Sequence, residues 1–253
     1  MVRRDNLEFA TMTHKGMVRM RNEDNFCVIT KLEGVPQIFV IADGMGGHNA
    51  GDVASVVAVD SVSAYLSNPE IWINGGNNTF DFIVDAMDMA NKQVVSIAKA
   101  DGDMAGMGTT MIISILIDNK LYIGHVGDSR LYLIRDSHIK QITSDHSLVE
   151  ALVKEGSISK EDAKNHPSKN IITRVIGTNE NANADTIAVD INPGDVFLMC
   201  TDGLTNKLED YEINNIIVEF ENLNDACTKL VELANNRGGE DNVTVILISL
   251  RGK

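Results

Sequence analysis

Cysteine is scarce in this 253-residue sequence: Cys27, Cys200 and Cys227 are the only three, and none belongs to a Cys-x-x-Cys pair. Their number is odd and each lies among apolar residues, so we expect buried, reduced thiols in a cytoplasmic protein. No arginine stands six positions after any of them. The loop in which a thiolate faces an arginine-bound phosphate is therefore missing, and phosphate chemistry by a nucleophilic cysteine is excluded.

Basic residues and long apolar stretches are also in short supply. The chain has 22 Lys and Arg against 36 Asp and Glu, a formal net charge of -14, so it repels phosphate backbones and anionic lipid headgroups. Its apolar runs, such as Val56–Val59 and Ile115–Ile117, fall far short of the roughly 18–20 residues that span a bilayer. We therefore expect no nucleic-acid partner and no membrane insertion, and any phosphorylated substrate needs a local source of positive charge.

Apolar residues are nevertheless abundant enough for a core, at 43% of the sequence, and the length fits one domain over 1–253. Hydrophobic periodicity predicts many antiparallel strands and two helix pairs, which together favour an α+β layered sandwich. The predicted strands are 7–13, 25–30, 37–42, 109–117, 120–126, 130–135, 185–190, 195–200 and 242–249; the predicted helices are 50–66, one capped by Thr79, 209–220 and 223–236. Residues 143–184 are polar, contain a helix-start pair at Ser159 and Asp162, and are interpreted as an insertion lying over the sheet.

Four aspartates flank apolar strands: Asp43, Asp128 and Asp202 just past strand ends, and Asp241 just before a strand. Because the end of one antiparallel strand lies beside the start of its neighbour, all four carboxylates can meet at one rim. Two unit charges 4 Å apart repel by roughly 4 kcal/mol at an effective dielectric near 20, so such a cluster requires protonation or multiply charged cations. Oxygen ligands suit Mg²⁺ or Mn²⁺ better than zinc. For any single Asp-Gly pair, the alternative is an ordinary turn.

Three familiar ligand-binding patterns fail on the residues that carry their mechanism. The segment Gly44–Asn49 has Asn where a dinucleotide fingerprint needs its third Gly, and Gly51-Asp52-Val53 stands where a phosphate-binding P-loop needs Gly-Lys-Ser/Thr. The segment from Asp101 begins like a calcium loop, but its fifth and twelfth positions are Ala105 and Ile112. A structural or calcium-buffering domain is therefore disfavoured.

Six motifs follow one another along the chain: Gly16-x-Val18-Arg19-x-x-Asn22-Glu23-Asp24, Ala42-Asp43-Gly44-Met45-Gly46-Gly47-His48, Gly106-Met107-Gly108-Thr109-Thr110, His125-Val126-Gly127-Asp128-Ser129-Arg130, Thr201-Asp202-Gly203-Leu204-Thr205 and Gly238-Gly239-Glu240-Asp241-Asn242. Over residues 8–250 this order resembles the metal-dependent serine/threonine protein phosphatases of type 2C (the PPM family) in their compact bacterial form. The segment Asp145–Val149 with His166-Pro167 is similar to the branch that opposes membrane-anchored serine/threonine kinases of the PASTA type.

The resemblance implies a four-layer α-β-β-α sandwich, in which a central antiparallel β-sandwich is flanked by helix pairs, with a mobile flap at about 145–185. It also implies two core Mn²⁺ or Mg²⁺ ions and a third, weaker one. Carried over position by position, Asp43 is the ligand that bridges the two core ions, the Gly44 carbonyl is a ligand of one of them, and Asp202 and Asp241 are ligands of the other. Asp128 with Asp202 matches the position of the third ion, and Glu23 and Asp24 act largely through metal-bound waters. Arg19 is the phosphate-binding residue, and Asn242 supports the rim.

The implied reaction is hydrolysis of phosphoserine and phosphothreonine in proteins. A water bridging two cations attacks phosphorus in line and no phosphoenzyme forms, while Arg19 and the cations stabilise the equatorial oxygens. Met45 stands where many eukaryotic relatives have a histidine proposed as general acid, and it cannot donate a proton. We expect a metal-bound water rather than His48 in that role, and surface or packing roles for His146 and His166.

A catalytically silent phosphoprotein-binding module on the same fold is the alternative function. The presence of Arg19, Asp43, Asp202 and Asp241 favours the enzyme, because each of the four positions expected to act in catalysis carries the required residue type. The resemblance further implies a cytoplasmic monomer whose partners are phosphorylated proteins, including a serine/threonine kinase and its substrates.

Overall fold

The computed structural model describes residues 7–47, 50–74, 78–178 and 181–250. These residues form eleven strands and eight helices, in the chain order β1 (Glu8–His14), β2 (Asp24–Ile29), β3 (Gln37–Met45), α1 (Ala50–Leu66), α2 (Pro69–Asn74), α3 (Thr79–Ala100), β4 (Gly108–Thr109), β5 (Met111–Ile117), β6 (Lys120–Val126), β7 (Arg130–Arg135), β8 (His138–Gln141), α4 (Leu148–Lys154), α5 (Lys160–Lys164), β9 (Asp185–Asp190), β10 (Val196–Cys200), α6 (Asp202–Thr205), α7 (Asp210–Glu219), α8 (Leu223–Asn236) and β11 (Val243–Ser249).

The strands form two antiparallel sheets. One has the order β1-β11-β10-β7-β8, and the other has the order β2-β3-β5-β6-β9, with the short β4 pairing with the end of β3. The central strands of the first sheet come from distant parts of the chain, as in the pairing of β10 with both β7 and β11. That sheet therefore closes only after most of the chain has been placed, whereas β2, β3, β5 and β6 of the second sheet follow one another along the chain.

Alternation along β3 shows how one sheet is covered on both faces. Ile38, Val40 and Ala42 belong to a buried cluster with the inward faces of α1 and α3. Phe39 and Ile41 point the other way and belong to a cluster shared with the opposite sheet. This period of two is what a pleated strand imposes, and because both faces are covered, the strand reads as one continuous apolar run.

The other sheet is built in the same way around β10. Val196, Leu198 and Cys200 pack with residues of α7 and α8, whereas Phe197 and Met199 join the cluster between the sheets. Three hydrophobic layers therefore separate four layers of secondary structure. The expected four-layer α-β-β-α sandwich with flanking helix pairs is confirmed.

Several predicted boundaries are wrong by a few residues. β3 does not end at Ala42 but continues to Met45, because Asp43 pairs with Asp24 of β2 and Gly44 pairs with Thr109 of β4. The side chain of Asn78, not that of Thr79, caps α3.

The short elements α2, β8, α4 and α6 were not predicted. Cys200 and Cys227 are buried free thiols as expected, but Cys27 is only half-buried. Among the residues that the structure describes, no helix is long and apolar enough to cross a membrane.

The segment predicted as an insertion carries the short helices α4 and α5. The helix start at Ser159 is confirmed, since the Ser159 hydroxyl accepts from the Asp162 N–H and the Asp162 carboxylate accepts from the Ser159 N–H. Lys164 at the end of α5 donates to Glu209 Oε2 at 2.8 Å, which links the insertion to the start of α7. The insertion thus contacts the body of the sandwich through an exposed ion pair.

Gly124 in β6 offers a test of the packing between sheet and helices. A Cβ at this position would collide with Ile83 Cγ2, and it would lie 3.1 Å from Met87 Cε, both of α3. Overpacking a rigid core costs about 1–3 kcal/mol, so Gly124→Ala should lower the free energy of unfolding measured in urea by that amount. Gly102→Ala is the matched control, because a Cβ at Gly102 has no neighbour within 4 Å. Equal stability of the two variants would contradict the close packing of α3 on β6.

Candidate active site

The two sheets meet at one rim through a single buried carboxylate. Asp24 begins β2 and lies opposite Asp43 of β3 in the strand register. Its Oδ2 atom accepts hydrogen bonds from Thr201 Oγ1 at 2.9 Å and Thr244 Oγ1 at 2.7 Å. Both threonines belong to the opposite sheet or its immediate continuation, because Thr201 follows β10 and Thr244 lies in β11. The ends of the two sheets are thereby held side by side.

The structure brings the four predicted aspartates to this rim. Asp202 is the first residue of α6, directly after β10 and Thr201. Asp241 lies just before β11, and Asp128 lies in the turn between β6 and β7. The negative charges of the other three aspartates and that of Asp24 act on the Asp43 carboxyl group. The convergence expected from strand-end placement is therefore present.

Burial and mutual repulsion make these carboxyl groups hard to ionise in the absence of cations. Burial, reinforced by the charges of Asp202 and Asp241, raises the pKa of Asp24 to about 7 although two threonine hydroxyls oppose the shift. Burial and then the charge of Asp202 raise the pKa of Asp128 to about 7. Burial and then the charge of Asp241 raise the pKa of Asp202 to about 6. Burial and then the charge of Asp24 hold the pKa of Asp43 well above its usual value.

Hydrogen bonds on both sides fix the backbone of Asp43. Its N–H donates to Thr110 Oγ1 at 3.0 Å, and its carbonyl accepts from Thr109 Oγ1 at 2.8 Å. Thr110 Oγ1 also shares a 2.7 Å hydrogen bond with Ser129 Oγ, which stands just after Asp128. The Asp43 carboxylate therefore extends from a rigid strand end, as a precise ligand position requires.

Gly44 brings helix α1 close to this strand end. A Cβ on Gly44 would collide with the carbonyl of Gly51 in the first turn of α1. The Glu23 carboxylate lies against Gly51, and Ser55 Oγ of the same helix donates to the Glu23 carbonyl at 2.6 Å. Burial raises the pKa of Glu23, with the charge of Arg19 opposing the shift. The helix N-terminus also favours a negative charge at this place.

Asn242 is buried and connects three segments of the rim. Its Oδ1 accepts from the Glu23 N–H at 2.8 Å, and its Nδ2 donates to the carbonyls of Lys15 and Arg21 at 2.8 and 2.9 Å. Every hydrogen atom of the side-chain amide is thus used to hold the β1–β2 loop, residues 15–23, against the start of β11. This is the arrangement that a support of the rim requires.

Arg19 stands at the exposed edge of the same site. Its Nη2 donates to Asp241 Oδ2 at 2.9 Å, and the two side chains are 48% and 36% exposed. Ion pairs with this exposure contribute about 0–1 kcal/mol, so another anion can displace Asp241 from the guanidinium at little cost. The predicted phosphate-binding residue therefore lies beside the acid cluster and holds an easily exchanged partner.

The donor set fits hard divalent cations. It consists of oxygen atoms only, and Asp24 Oδ1 is buried without a hydrogen-bond partner, which marks a position for a positive ligand. Within the described residues, no group of three or more His, Cys, Asp or Glu side chains is already arranged around a common ion position. Asp241 is held by Arg19, and Asp202 Oδ2 accepts from Asn206 Nδ2 at 2.9 Å. These side chains must exchange partners when they bind a cation.

None of the histidines that the structure describes hydrogen-bonds to an acid of the rim. His146 is buried, so the packing role expected for it is correct; its Nδ1 accepts from the Gly127 N–H at 3.1 Å, which leaves Nε2 as the donor to Asp185 Oδ2 at 3.1 Å. Its ring lies 4.6 Å from that of His125, whose pKa burial lowers to about 3. His166 is half-buried, and its Nδ1 accepts from the Ser168 N–H. Met45 ends β3 and carries no proton to donate, and His48 lies outside the described residues.

Sequence reasoning missed the polar residues that orient the acids. Thr201, Thr244 and Asn206 contact Asp24 or Asp202 directly, whereas Thr110 accepts from the Asp43 N–H and shares a hydrogen bond with Ser129. Thr110, Ser129 and Thr201 lie within the six motifs, but the motifs assign them no catalytic, metal-binding or phosphate-binding role. The signal for Thr244 is a polar residue in the otherwise apolar strand β11, where a buried hydroxyl needs a partner.

Comparison with known proteins agrees with this architecture. A family model described as protein phosphatase 2C matches residues 14–244. The serine/threonine phosphatase stp of Listeria welshimeri is 40% identical over 245 residues, which cover 93% of this chain and 93% of that protein. The S. agalactiae serine/threonine phosphatase structure has a TM-score of 0.90 at 32% identity and covers 97% of this chain and 100% of that one.

A third match carries metal in the solved structure. The catalytic domain of the serine/threonine protein phosphatase PstP, in complex with two manganese ions, has a TM-score of 0.83 at 31% identity and covers 97% of this chain and 99% of that one. The family match spans far more than half of the sequence, and the folds agree over nearly the whole chain. This chain belongs to the protein phosphatase 2C family, which confirms the resemblance seen in the six motifs.

The raised pKa values predict how the cation-free protein responds to pH. Asp24 and Asp128, at about 7 in the folded state and about 3.9 when unfolded, bind protons more tightly in the folded protein. Their protonated carboxyl groups make their full contribution to the free energy of unfolding below the unfolded pKa. This contribution is lost as pH rises through the folded pKa of about 7. With chelator present, the free energy of unfolding should therefore fall between pH 6.5 and 8, a window above the main titration of His125.

Replacing one carboxyl group isolates the cause. Asp128→Asn should flatten the decline measured by denaturant unfolding, whereas Asp190→Asn, at an exposed position of β9, should leave the slope as it is in the wild type. A stability that is constant or rising across this window in chelator would contradict the raised pKa values.

Proposed function

We propose that this chain is a metal-dependent phosphatase that hydrolyses phosphoserine and phosphothreonine in proteins. The observation that carries the proposal is the convergence of Asp43, Asp128, Asp202 and Asp241 at one rim beside Arg19. Relatives named serine/threonine phosphatases that match almost the full length of the chain support the same conclusion. A silent binding module has no observation in its favour, because no position of the expected acid set has lost its carboxylate.

The proposed cations are two Mn²⁺ or Mg²⁺ ions and a third, weaker one. Asp43 and the Gly44 carbonyl would hold one core ion, Asp43, Asp202 and Asp241 the other, and Asp128 with Asp202 the third, while Glu23 and Asp24 would act largely through water. Two divalent cations at such a site supply an attacking water of lowered pKa and neutralise phosphate charge. The unpartnered Asp24 Oδ1 and the manganese-bound PstP structure support this assignment.

The chain's own residues set the geometry for the reaction. Thr201 and Thr244 hold one oxygen of Asp24, and its second oxygen is buried without a hydrogen-bond partner. Arg19 presents a planar fork that can bind two phosphate oxygens at once, which a lysine cannot do. When phosphate takes the guanidinium, Asp241 Oδ2 is released to serve as a ligand. Phosphate binding and completion of the acid site are therefore coupled through one side chain.

We also assign residues 145–185 to a flap within a single domain spanning 1–253. The base of this flap is strongly attached, because Arg130 donates to both oxygens of Asp145 and Arg174 Nη1 donates to Asp185 Oδ1 at 2.7 Å. The Thr173 N–H also donates to the His146 carbonyl at 2.7 Å. The tip carries α4 and α5, which have no buried residue, and Lys164 of α5 makes an exposed ion pair with Glu209, so the tip is the part that can respond to a partner. The proposed partners are a serine/threonine kinase and its substrates, met by a cytoplasmic monomer.

The direct test is hydrolysis of a phosphothreonine peptide and of p-nitrophenyl phosphate, each with Mn²⁺ and with chelator. Both substrates should be turned over only with Mn²⁺, and Mn²⁺ should raise the melting temperature of the protein because it binds the folded state. Asp202→Asn should abolish turnover, since no neighbouring side chain replaces the lost ligand charge. Asp190→Asn is the matched control and should retain full activity. Turnover that survives complete chelation would refute the metal mechanism.

A second kinetic test concerns the guanidinium. Arg19→Ala should raise KM for a phosphopeptide by roughly tenfold with a smaller effect on kcat, because it removes a phosphate contact and leaves the acids in place. Arg19→Lys should recover only part of the loss, since a point charge cannot replace the fork. Lys120→Ala removes an exposed cation paired with Asp190 and serves as the control. An unchanged KM with a collapsed kcat would place the action of Arg19 in the transition state alone.

A further inference from the structure

Three large apolar side chains are exposed around Arg19 in the β1–β2 loop. Met17, Val18 and Met20 are 67%, 63% and 89% exposed. Elsewhere in the described part of the chain, exposed large apolar residues are scattered, and no other three of them fall within five consecutive positions. Grouped exposed apolar side chains mark binding surfaces more often than scattered ones do.

The backbone of this loop is tightly held although its side chains are exposed. The Met17 N–H donates to the Gly239 carbonyl at 2.7 Å. Asn242 holds the carbonyls of Lys15 and Arg21. A fixed backbone presents the three side chains in one arrangement before any partner arrives, which lowers the ordering cost of binding.

The position of Arg19 indicates what covers this surface. Val18 and Met20 are its direct neighbours, and an extended peptide advances about 3.3–3.6 Å per residue. Any peptide whose phosphate binds Arg19 therefore places the residues beside its phosphorylated side chain within reach of Val18 and Met20. Methionine adapts its shape to different apolar partners, which suits a surface that meets several sequences.

We propose that Met17, Val18 and Met20 form a docking surface for apolar residues that flank the phosphorylated residue of a protein substrate. The surface deepens the proposed phosphatase function and rests on it. Its occupant is a phosphorylated, extended protein segment, because the guanidinium of Arg19 can bind a phosphate group and exposed apolar side chains flank it on both sides along the chain. Anionic membrane is the disfavoured alternative for a chain of net charge -14.

Two phosphothreonine peptides test the proposal, identical except that leucine flanks the phosphothreonine in one and serine in the other. The wild type should show a kcat/KM at least about fivefold higher for the leucine peptide, as partial burial of apolar side chains predicts. The double substitution of Met17→Ser and Met20→Ser should bring this ratio close to one. Ile73→Ser, at a residue that is 73% exposed on α2, is the control and should keep the wild-type ratio.

The outcomes separate this inference from the proposed function. Hydrolysis of both peptides by the wild type with equal kcat/KM would overturn the docking surface and leave the phosphatase intact. No hydrolysis of either peptide or of p-nitrophenyl phosphate with Mn²⁺ would overturn the phosphatase, and the docking surface with it. Binding of the wild type to anionic phospholipid vesicles that is lost in the double variant, together with an unchanged peptide ratio, would assign the surface to a membrane and also overturn the proposal.

Discussion

Repulsion among buried carboxylates is the constraint on which the rest of this structure depends. Asp24, Asp43, Asp128 and Asp202 share one rim with Asp241, and burial together with the neighbouring negative charges raises the pKa of these first four carboxyl groups. A fold can keep such a cluster only if the surrounding framework is stable enough to oppose it. The three hydrophobic layers of the sandwich supply that framework, because each sheet is covered on both faces.

The acids are placed by strand ends and oriented by hydroxyl groups. Antiparallel pairing brings the start of β2 beside the end of β3 and the end of β10 beside the start of β11. Hydrogen bonds from Thr201 and Thr244 then join one sheet to Asp24 of the other. Because the polar contact lies between the sheets, a change in their relative position would move the acids with respect to each other. The packing of the core between the sheets therefore also determines the geometry of the site.

Much of this could be read from the sequence because the signals are local. The continuous apolar run at 196–200 and the helical spacing in 50–66 indicate the element type, and the aspartates at strand ends point to a shared rim. The continuation of β3 to Met45 could not be read, because it depends on pairing with β4, a strand of two residues from a distant segment. The orienting role of Thr244 was equally hidden, since its partner Asp24 is 220 positions away.

The same difference between local signals and contacts to distant parts of the chain applies to the site residues. A carboxylate indicates cation binding and the Arg19 guanidinium indicates phosphate binding by residue type alone, so these site residues could be predicted from the motifs. The partners that Arg19 and Asp202 hold in the structure, Asp241 and Asn206, could not, because a side chain's rotamer depends on the assembled rim. The packing of His146 against His125 likewise requires the base of the flap to be in place.

The ion pair between Arg19 and Asp241 has one further consequence, for product departure. A carboxylate is a chemical surrogate for phosphate, and here it is tethered next to the guanidinium at a high effective concentration. Once the ester is cleaved and phosphate leaves, the guanidinium and the proposed cation would compete for this same carboxylate. Departure of the product and the hold on that cation are therefore linked through one side chain.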